Sequence, residues 1–512
     1  MFSLERKKTF LLGVASFYGN SIASLIMGLF SIPIGLNYFG PVRYGFLAVI
    51  SSIIGYLNFS NLGLQTTVSV LIAKTLKPFE QRAILLRSLL LITISSISVL
   101  LLFIVVVNFF PNWIIVFGKI PDDIKYECNR AAVVTIILFL INLPFRIFSD
   151  AFTGLQMVYW SRFYNLLERF LDLIILLLVV FVLKGNLVMF SLLRGVGTFF
   201  INIICGLHLL IMNPQFNKKS DDLIGEQFSV GRMFKTGMKF LIIGLAAMVV
   251  WNTDNLIISH FLGIKAVTPY AITFKVFSII ITFYTAINST LTPMYGRASA
   301  MEDWEWINKV YNILAYLLPM IGGLVWIGGI GFAKEFICLW AGSQAYGGFL
   351  TVFSLGGYAF ILAFINVNSH LITGINPTKI ATVFAWIEAV VNLCISILLV
   401  RSFGIGGAAL GTFLAAVFAV SWIQPIYVYR LAGKKVKLNV VPILRHTFFI
   451  LIPCLILTIL VYFYCNNLIY KVCINLIILS VYCVLTWHSI SKKLSNEILK
   501  IFSQLNLKKF LK

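Results

Sequence analysis

The sequence predicts an all-α polytopic membrane protein of about fourteen transmembrane helices, two pseudo-symmetric six-helix bundles followed by two C-terminal helices. Three observations predict it. Hydrophobic residues make up 60% of the 512 and charged residues 11%, against roughly 45–50% and about 25% in ordinary soluble domains. Apolar runs long enough to span a bilayer recur along the whole chain. Basic residues alternate between crowded and sparse loops, which is how orientation across a bilayer is encoded. Mean hydropathy is +0.96. This composition excludes a soluble enzyme, a disordered chain and a secreted disulfide scaffold, because too little charge remains to solvate a globular surface.

Helices are expected at about 10–36, 45–73, 84–110, 131–155, 158–183, 187–212, 234–261, 268–295, 307–333, 348–373, 378–400, 406–430, 444–465 and 468–490. Runs such as Ile174–Val182 lack the alternation of a lipid-facing barrel strand. Arg6-Lys7-Lys8 opens the first run, which is too long for a signal peptide and has no small-residue cleavage site, so it reads as a retained helix. Pro144, Pro293, Pro319 and Gly374-Ile375-Asn376-Pro377 break or end helices, and the pairs Gly322-Gly323 and Gly328-Gly329 allow close contact or bending. The longest loops, 111–130 outside and 213–233 inside, leave no room for a soluble catalytic domain. Residues 1–212 form an N-terminal lobe, 213–233 a cytoplasmic linker, 234–430 a second lobe, and 431–512 two extra helices with a basic tail.

The net charge is +22. With the N-terminus inside, 27 of the 40 Lys and Arg fall on inner segments, 9 on outer ones and 4 within helices. That bias predicts two cytoplasmic termini and absorbs most of the positive charge, so no nucleic-acid partner is implied. The 8 cysteines form no CxxC pair and read as small core hydrophobes, with no metal site, no disulfide framework and no cofactor expected.

The chain also resembles itself. Thr153-Gly154 precedes Glu168 as Thr373-Gly374 precedes Glu388, and Gly13 and Gly40 flank the first helix as Gly237 and Gly263 flank the seventh. Helices 1–6 thus match helices 7–12, a parallel repeat about an axis along the membrane normal, which suits alternating access around a central site.

Three segments, Tyr38-Phe39-Gly40-Pro41-Val42-Arg43-Tyr44-Gly45 leading to Asn61-Leu62-Gly63-Leu64, Asp254 to Gly263 followed by Tyr270 and Lys275, and Phe403-Gly404-Ile405-Gly406-Gly407-Ala408-Ala409-Leu410, carry a family resemblance. In their order and spacing the chain resembles the multidrug/oligosaccharidyl-lipid/polysaccharide (MOP) exporter superfamily, in particular its polysaccharide-transporter branch with the O-antigen flippases. The resemblance implies two six-helix lobes around a cavity, in a bacterial inner membrane. It implies export of a polyprenyl-diphosphate-linked oligosaccharide from inner to outer leaflet, with membrane lipids and a polysaccharide polymerase and chain-length machinery as partners. Asn61 stands where many relatives carry an acidic residue, and many flippases of this branch lack helices 13 and 14.

Ionisable groups inside the bilayer are functional candidates by default. Asp254 and Lys275 lie at similar depth on adjacent helices and are expected to pair, either to fix packing or as a breakable contact in the cavity wall. Arg146 with Glu168-Arg169 forms a second expected cluster, one arginine of which snorkels to the surface; Asp172 follows one turn deeper. Arg194 has no expected carboxylate at its level, and Glu388 no cation. Arg146, Arg169, Arg194, Lys275 and, in the first motif, Arg43 are therefore the candidates for holding a diphosphate or sugar, because guanidinium matches phosphate oxygens. Glu388, Asp254 and Glu168 are the candidates for coupling to H+ or Na+. Asn20, Ser21, Gln65, Thr66, Asn142, Asn202, Trp251, Asn252, Asn288, Asn366 and Asn368 could meet a sugar, although such residues more often bind helices together. His208, His260 and His370 read as interfacial. The alternative function is a cation-coupled drug or metabolite antiporter, which needs an acidic cavity. No HExxH, GxSxG or Walker motif is present, so neither an enzyme nor internal ATP drive is expected.

Overall fold

The computed structural model describes residues 4–75, 77–110, 112–214, 229–375 and 379–489. Among these every regular element is helical, and eleven stretches are long and apolar enough to cross a membrane. Two of the eleven are bent pairs. Helix α1, Leu4–Leu57, turns at Gly40, and helix α12, Lys379–Ala415, turns at Gly404, both at positive φ (76° and 59°). Only glycine enters that region without steric cost, so each long helix is two of the expected ones. The fourteenth expected span is α6, Val158–Leu177, set apart by Arg162, Glu168, Arg169 and Asp172.

The other elements are α2 (Leu64–Lys74), α3 (Pro78–Phe109), α4 (Asp122–Asn142), α5 (Ile147–Gly154), α7 (Leu187–Met212), α8 (Val230–Leu262), α9 (Val267–Ala300), α10 (Trp304–Ala341), α11 (Phe349–Ile375), α13 (Ile423–Leu431), α14 (Val440–His446), α15 (Ile452–Tyr464) and α16 (Leu468–Ser489). The chain divides into two compact units, Met1–Ala271 and Ile272–Lys512. Most of the linker expected at 213–233 and the basic tail lie outside the described residues.

In the first unit, the helix expected over 45–73 is not continuous. It stops at Leu57, makes a 3-10 turn over Asn58–Asn61, passes through left-handed Leu62 and Gly63 (φ 56° and 67°), and restarts as α2. Asn61 drives the break: its Oδ1 accepts the Gly63 N–H at 2.7 Å and so competes with the helical ladder. The fourth helix breaks at Pro144, where Leu143–Arg146 forms a second 3-10 turn. It also starts at Asp122 rather than near 131, because Asp122 and Asp123 favour a helix N-terminus, and the expected long outer loop shortens accordingly. Leu64, Val68 and Ile72 of α2 pack with Ile147 and Phe152 of α5 and Ile84 of α3 in the buried core. Gly40 and Gly263, equated by the repeat, share one backbone conformation (φ 76°, ψ 169° and φ 87°, ψ 163°).

In the second unit, the last two helices dock on α10. Tyr482 donates to the Met320 carbonyl at 2.8 Å, Asn475 donates to the Gly331 carbonyl at 3.1 Å, and Lys471 Nζ lies 2.6 Å from Glu335. Gly323 and Gly331 of α10 provide the room for Tyr482 and Asn475. Lys471, counted on an outer segment from sequence, is buried, and its ammonium sits 4.6 Å from the Tyr462 ring centroid. Tyr346, in the turn after α10, bonds Tyr462 at 3.0 Å; burial and that bond push its phenol above the ordinary range. The expectation of core cysteines holds for Cys128, Cys205 and Cys454, whereas Cys394, Cys473 and Cys483 are exposed.

Candidate functional site

The two helix breaks of the first unit touch each other: the turn Asn58–Asn61 packs against the turn Leu143–Arg146. Irregular backbone at membrane depth is tolerated only where it is buried in protein or lines a cavity. Both conditions are met. The first break opens on a cavity of about 420 Å³. One wall is Asn58, Phe59, Asn61, Gly63, Gln65 and Thr66, and the other comes from α8 between Phe240 and Asn252, including Trp251. The walls therefore belong to stretches that the sequence assigns to the two halves of its repeat. The lining mixes amides and a hydroxyl with aromatic and aliphatic side chains (Phe59, Phe240, Trp251, Leu241, Met248), and among the described residues no charged side chain lines it.

The walls are held together at Gly63 and Gly237. A Cβ on Gly63 would lie 2.1 Å from the Gly237 carbonyl oxygen, and one on Gly237 would lie 2.4 Å from that of Leu62. Inside the cavity, Asn61 Nδ2 donates to Gln65 Oε1 at 2.8 Å, which fixes the Gln65 amide. Among the described residues, Asn252 Nδ2 donates to the soft acceptor Met248 Sδ at 2.7 Å. Asn58 Oδ1 is buried and accepts no hydrogen bond from the described residues. Gln65, Thr66, Trp251 and Asn252 are sugar candidates by sequence; Asn58 and Phe59 are not, because no local signal at 58–59 marks the opening of the helix. Asn142 and Asn202 instead join α4 to α7, and Asn368 accepts from Tyr311. The Asn288 side chain lies outside the described ones.

At the Arg146 turn, Pro144 and Phe145 line an apolar cleft of about 270 Å³ with Leu89, Ile97 and Leu100 of α3. Arg146 thus sits on a turn that borders an apolar cleft and packs against the turn lining the amide cavity.

The basic candidates separate by partner. Arg146 Nη2 is 3.8 Å from Glu168, an ion contact without a hydrogen bond. Asp150, one turn after Arg146 and absent from the sequence candidates, adds a second carboxyl near that guanidinium. Arg169 is exposed and makes no ion pair among the described residues. Arg194 corrects the expectation: it grips Asp172 with two bonds, at 2.8 and 2.9 Å. The level estimate failed because Asp172 reaches across from α6. Arg43 pairs with Glu127 at 2.7 Å, while Glu127 also accepts the Leu187 N–H at 2.9 Å, so Arg43 braces α1, α4 and the start of α7.

Asp254 is buried in α8 and accepts from the Tyr270 hydroxyl, beside the Tyr56–Thr253 bond. Lys275, in the second unit, is exposed on α9. Glu388 is half-buried in α12 and has no hydrogen-bond or ion-pair partner among the described residues. His208 and His370 are bonded to Tyr164 and Thr292. No group of three or more metal-ligating side chains occurs among the described residues.

No protein-family model matches the chain. It is 25% identical over 190 residues to a putative O-antigen transporter of Salmonella typhimurium, covering 36% of this chain and 44% of the relative. The match thus spans less than half the length of that relative. It is 20% identical over 437 residues to a putative O-antigen export protein of Yersinia pseudotuberculosis, covering 82% of this chain and 96% of the relative. Among solved structures, the lipid II flippase MurJ in an inward closed conformation superposes with TM-score 0.65 at 14% identity, over 92% of this chain and 98% of that one. An inward-facing multidrug resistance MATE transporter of the MOP superfamily superposes with TM-score 0.60 at 14% identity, over 82% and 95%. These likenesses share the polytopic all-helical fold.

Proposed function

We propose that this chain belongs to the polysaccharide-transporter branch of the MOP superfamily and is a flippase. It moves a polyprenyl-diphosphate-linked oligosaccharide, an O-antigen or other surface-polysaccharide repeat unit, from the inner to the outer leaflet by alternating access. It performs transport and no covalent chemistry. It works in a bacterial inner membrane with both termini in the cytoplasm, and its two lobes are the repeat halves 1–212 and 234–430.

One observation carries the reading. Three features adjoin at the turn Leu143–Arg146: it lines an apolar cleft, carries the Arg146 guanidinium, and packs against the turn that lines the cavity of amides, aromatics and aliphatic side chains. The cargo has the three matching parts, a polyprenyl chain, a diphosphate and a sugar. The Arg146–Glu168 contact suits exchange. At 3.8 Å, with Arg146 38% exposed, it is an ion pair of the kind worth no more than about 1 kcal/mol. A phosphate oxygen offering a charge-assisted, bidentate bond displaces it readily. Arg169 adds a second basic group without a carboxylate to shed.

Glu388 favours the runner-up, a cation-coupled drug or metabolite antiporter, since a carboxyl without a partner can carry a cation. That reading needs acid in the cavity, and none lines the cavity at the helix break among the described residues. Proteoliposomes containing a short polyprenyl-diphosphate-linked oligosaccharide separate the two. The flippase delivers the glycan to the outer leaflet, where a lectin detects it, and Arg146→Gln slows delivery at least fivefold. Lectin accessibility equal to that of empty liposomes refutes the proposal.

A further inference from the structure

We infer that the cavity at the first helix break is a subsite for an uncharged sugar ring, the one attached to the diphosphate, stacked on Trp251 and hydrogen-bonded by Asn58, Gln65 and Asn252. This rests on the flippase reading and adds to it the class of sugar accepted.

The lining gives the chemistry. A pyranose presents an apolar face of C–H groups and an equatorial fringe of hydroxyls. Trp251, with Phe59 and Phe240, supplies aromatic surface for the face, and Asn58, Asn61, Gln65, Thr66 and Asn252 supply donors and acceptors for the fringe. The volume, about 420 Å³, falls in the range of small-ligand sites, about 300–1,000 Å³.

Asn58 Oδ1 points to a donor on the ligand. A buried acceptor without a partner costs free energy, and native proteins keep few of them. Rotation of the Asn58 amide into the cavity that this residue lines lets a sugar hydroxyl or an acetamido N–H satisfy that oxygen. The Gln65 amide, held through its oxygen by Asn61, keeps its nitrogen for the ligand. Asn252 exchanges a weak sulfur acceptor for an oxygen at little loss.

The same lining excludes charge. Among the described residues no arginine, lysine, aspartate or glutamate lines the cavity. A uronate or an amino sugar would be desolvated there without a counter-ion, which is strongly unfavourable. Placement selects the ring. The turn bearing Asn58 abuts the turn bearing Arg146, so a diphosphate on Arg146 brings its own attached sugar to this cavity.

Saturation-transfer NMR on the full-length protein in nanodiscs tests the subsite. The probes are methyl glucoside, methyl N-acetylglucosaminide and methyl glucuronide. Transfer is expected to the two neutral glycosides and at least fivefold less to the glucuronide. Trp251→Ala and Asn58→Ala weaken neutral binding about five- to tenfold, Trp251→Phe restores part of it, and unchanged thermal unfolding shows that the variants fold. Equal binding by wild type and Trp251→Ala, equal binding of the glucuronide, or no binding at all overturns the subsite. The lectin assay is separate: delivery of lipid-linked glycan with no glycoside binding sinks the subsite and leaves the flippase standing, whereas absent delivery sinks the flippase.

Discussion

Gly63→Ala tests whether the helix break and its contact with α8 build the cavity. Two costs are readable. Gly63 has φ 67°, a region that costs an L-residue roughly 1–2 kcal/mol. The new Cβ would then stand 2.1 Å from the Gly237 oxygen, 2.9 Å from its carbonyl carbon and 3.0 Å from the Leu241 nitrogen. All three are backbone atoms, so no rotamer relieves the clash and the two walls must separate. Overpacking of this kind costs about 1–3 kcal/mol, giving roughly 2–5 kcal/mol together. Against a typical stability of about 5–15 kcal/mol the variant still folds, but with the cavity walls pushed apart. The expected result is a lower unfolding temperature in detergent and glycan delivery reduced at least tenfold in proteoliposomes. Gly28→Ala is the control: its Cβ meets nothing within 4 Å, and both readouts stay at wild type. Gly237→Ala, which approaches the Leu62 oxygen from the other side, should be non-additive with Gly63→Ala. Wild-type stability and delivery in Gly63→Ala would refute the reasoning.

Arg194→Gln and Asp172→Asn each break one bidentate but half-exposed pair, so each should shift unfolding by no more than about 1 kcal/mol; delivery should fall severalfold for Arg194→Gln alone, and equal loss in both variants would reduce Arg194 to packing. Lys471→Met leaves the Glu335 carboxylate buried without its cation, at about 3–5 kcal/mol, and Lys471→Met with Glu335→Gln should recover most of the lost thermal stability. Glu388→Gln should abolish acceleration of delivery by an imposed proton or sodium gradient while leaving delivery without a gradient unchanged; persistent gradient dependence would remove Glu388 from coupling.

The fold was legible because bilayer physics leaves few choices. Apolar runs near 20 residues must be helices, and Gly40, Pro144 and Gly404 mark bends by a mechanism that needs no tertiary information. The break at 58–63 was less legible. Asn58 and Asn61 sit in a run apolar enough to read as continuous helix, and only the local bond from Gly63 to Asn61, together with the approach of Gly237, opens it. Charge partners were the hardest to foresee. Counting depth along separate helices missed Asp172 for Arg194, because a side chain on a neighbouring helix can reach past a full turn. Asp150 escaped notice although it lies one turn from Arg146, because nothing local distinguishes a carboxyl that shares a guanidinium from one that faces water.

The distribution of charge has an energetic consequence for the proposed cargo. A diphosphate brings about two negative charges, and an ion in bare hydrocarbon is prohibitively costly. Arg43, Arg146 and Arg194 each sit beside a carboxylate, so none of these three guanidiniums lacks compensation. What differs is the cost of exchange. Arg43 and Arg194 would each lose bonds below 3 Å, whereas Arg146 loses a contact at 3.8 Å and Glu168 keeps Arg169 beside it in sequence. On the proposed flippase reading, the diphosphate therefore engages Arg146 first. An inside-negative membrane potential favours outward movement of the anion by about 2.3 kcal/mol per charge per 100 mV, so the dianion gains several kcal/mol without a co-transported ion. On this account the uncharged cavity supplies selectivity, the loose pair supplies the handover, and a partnerless carboxyl such as Glu388 is free to set direction rather than to provide the bulk of the drive.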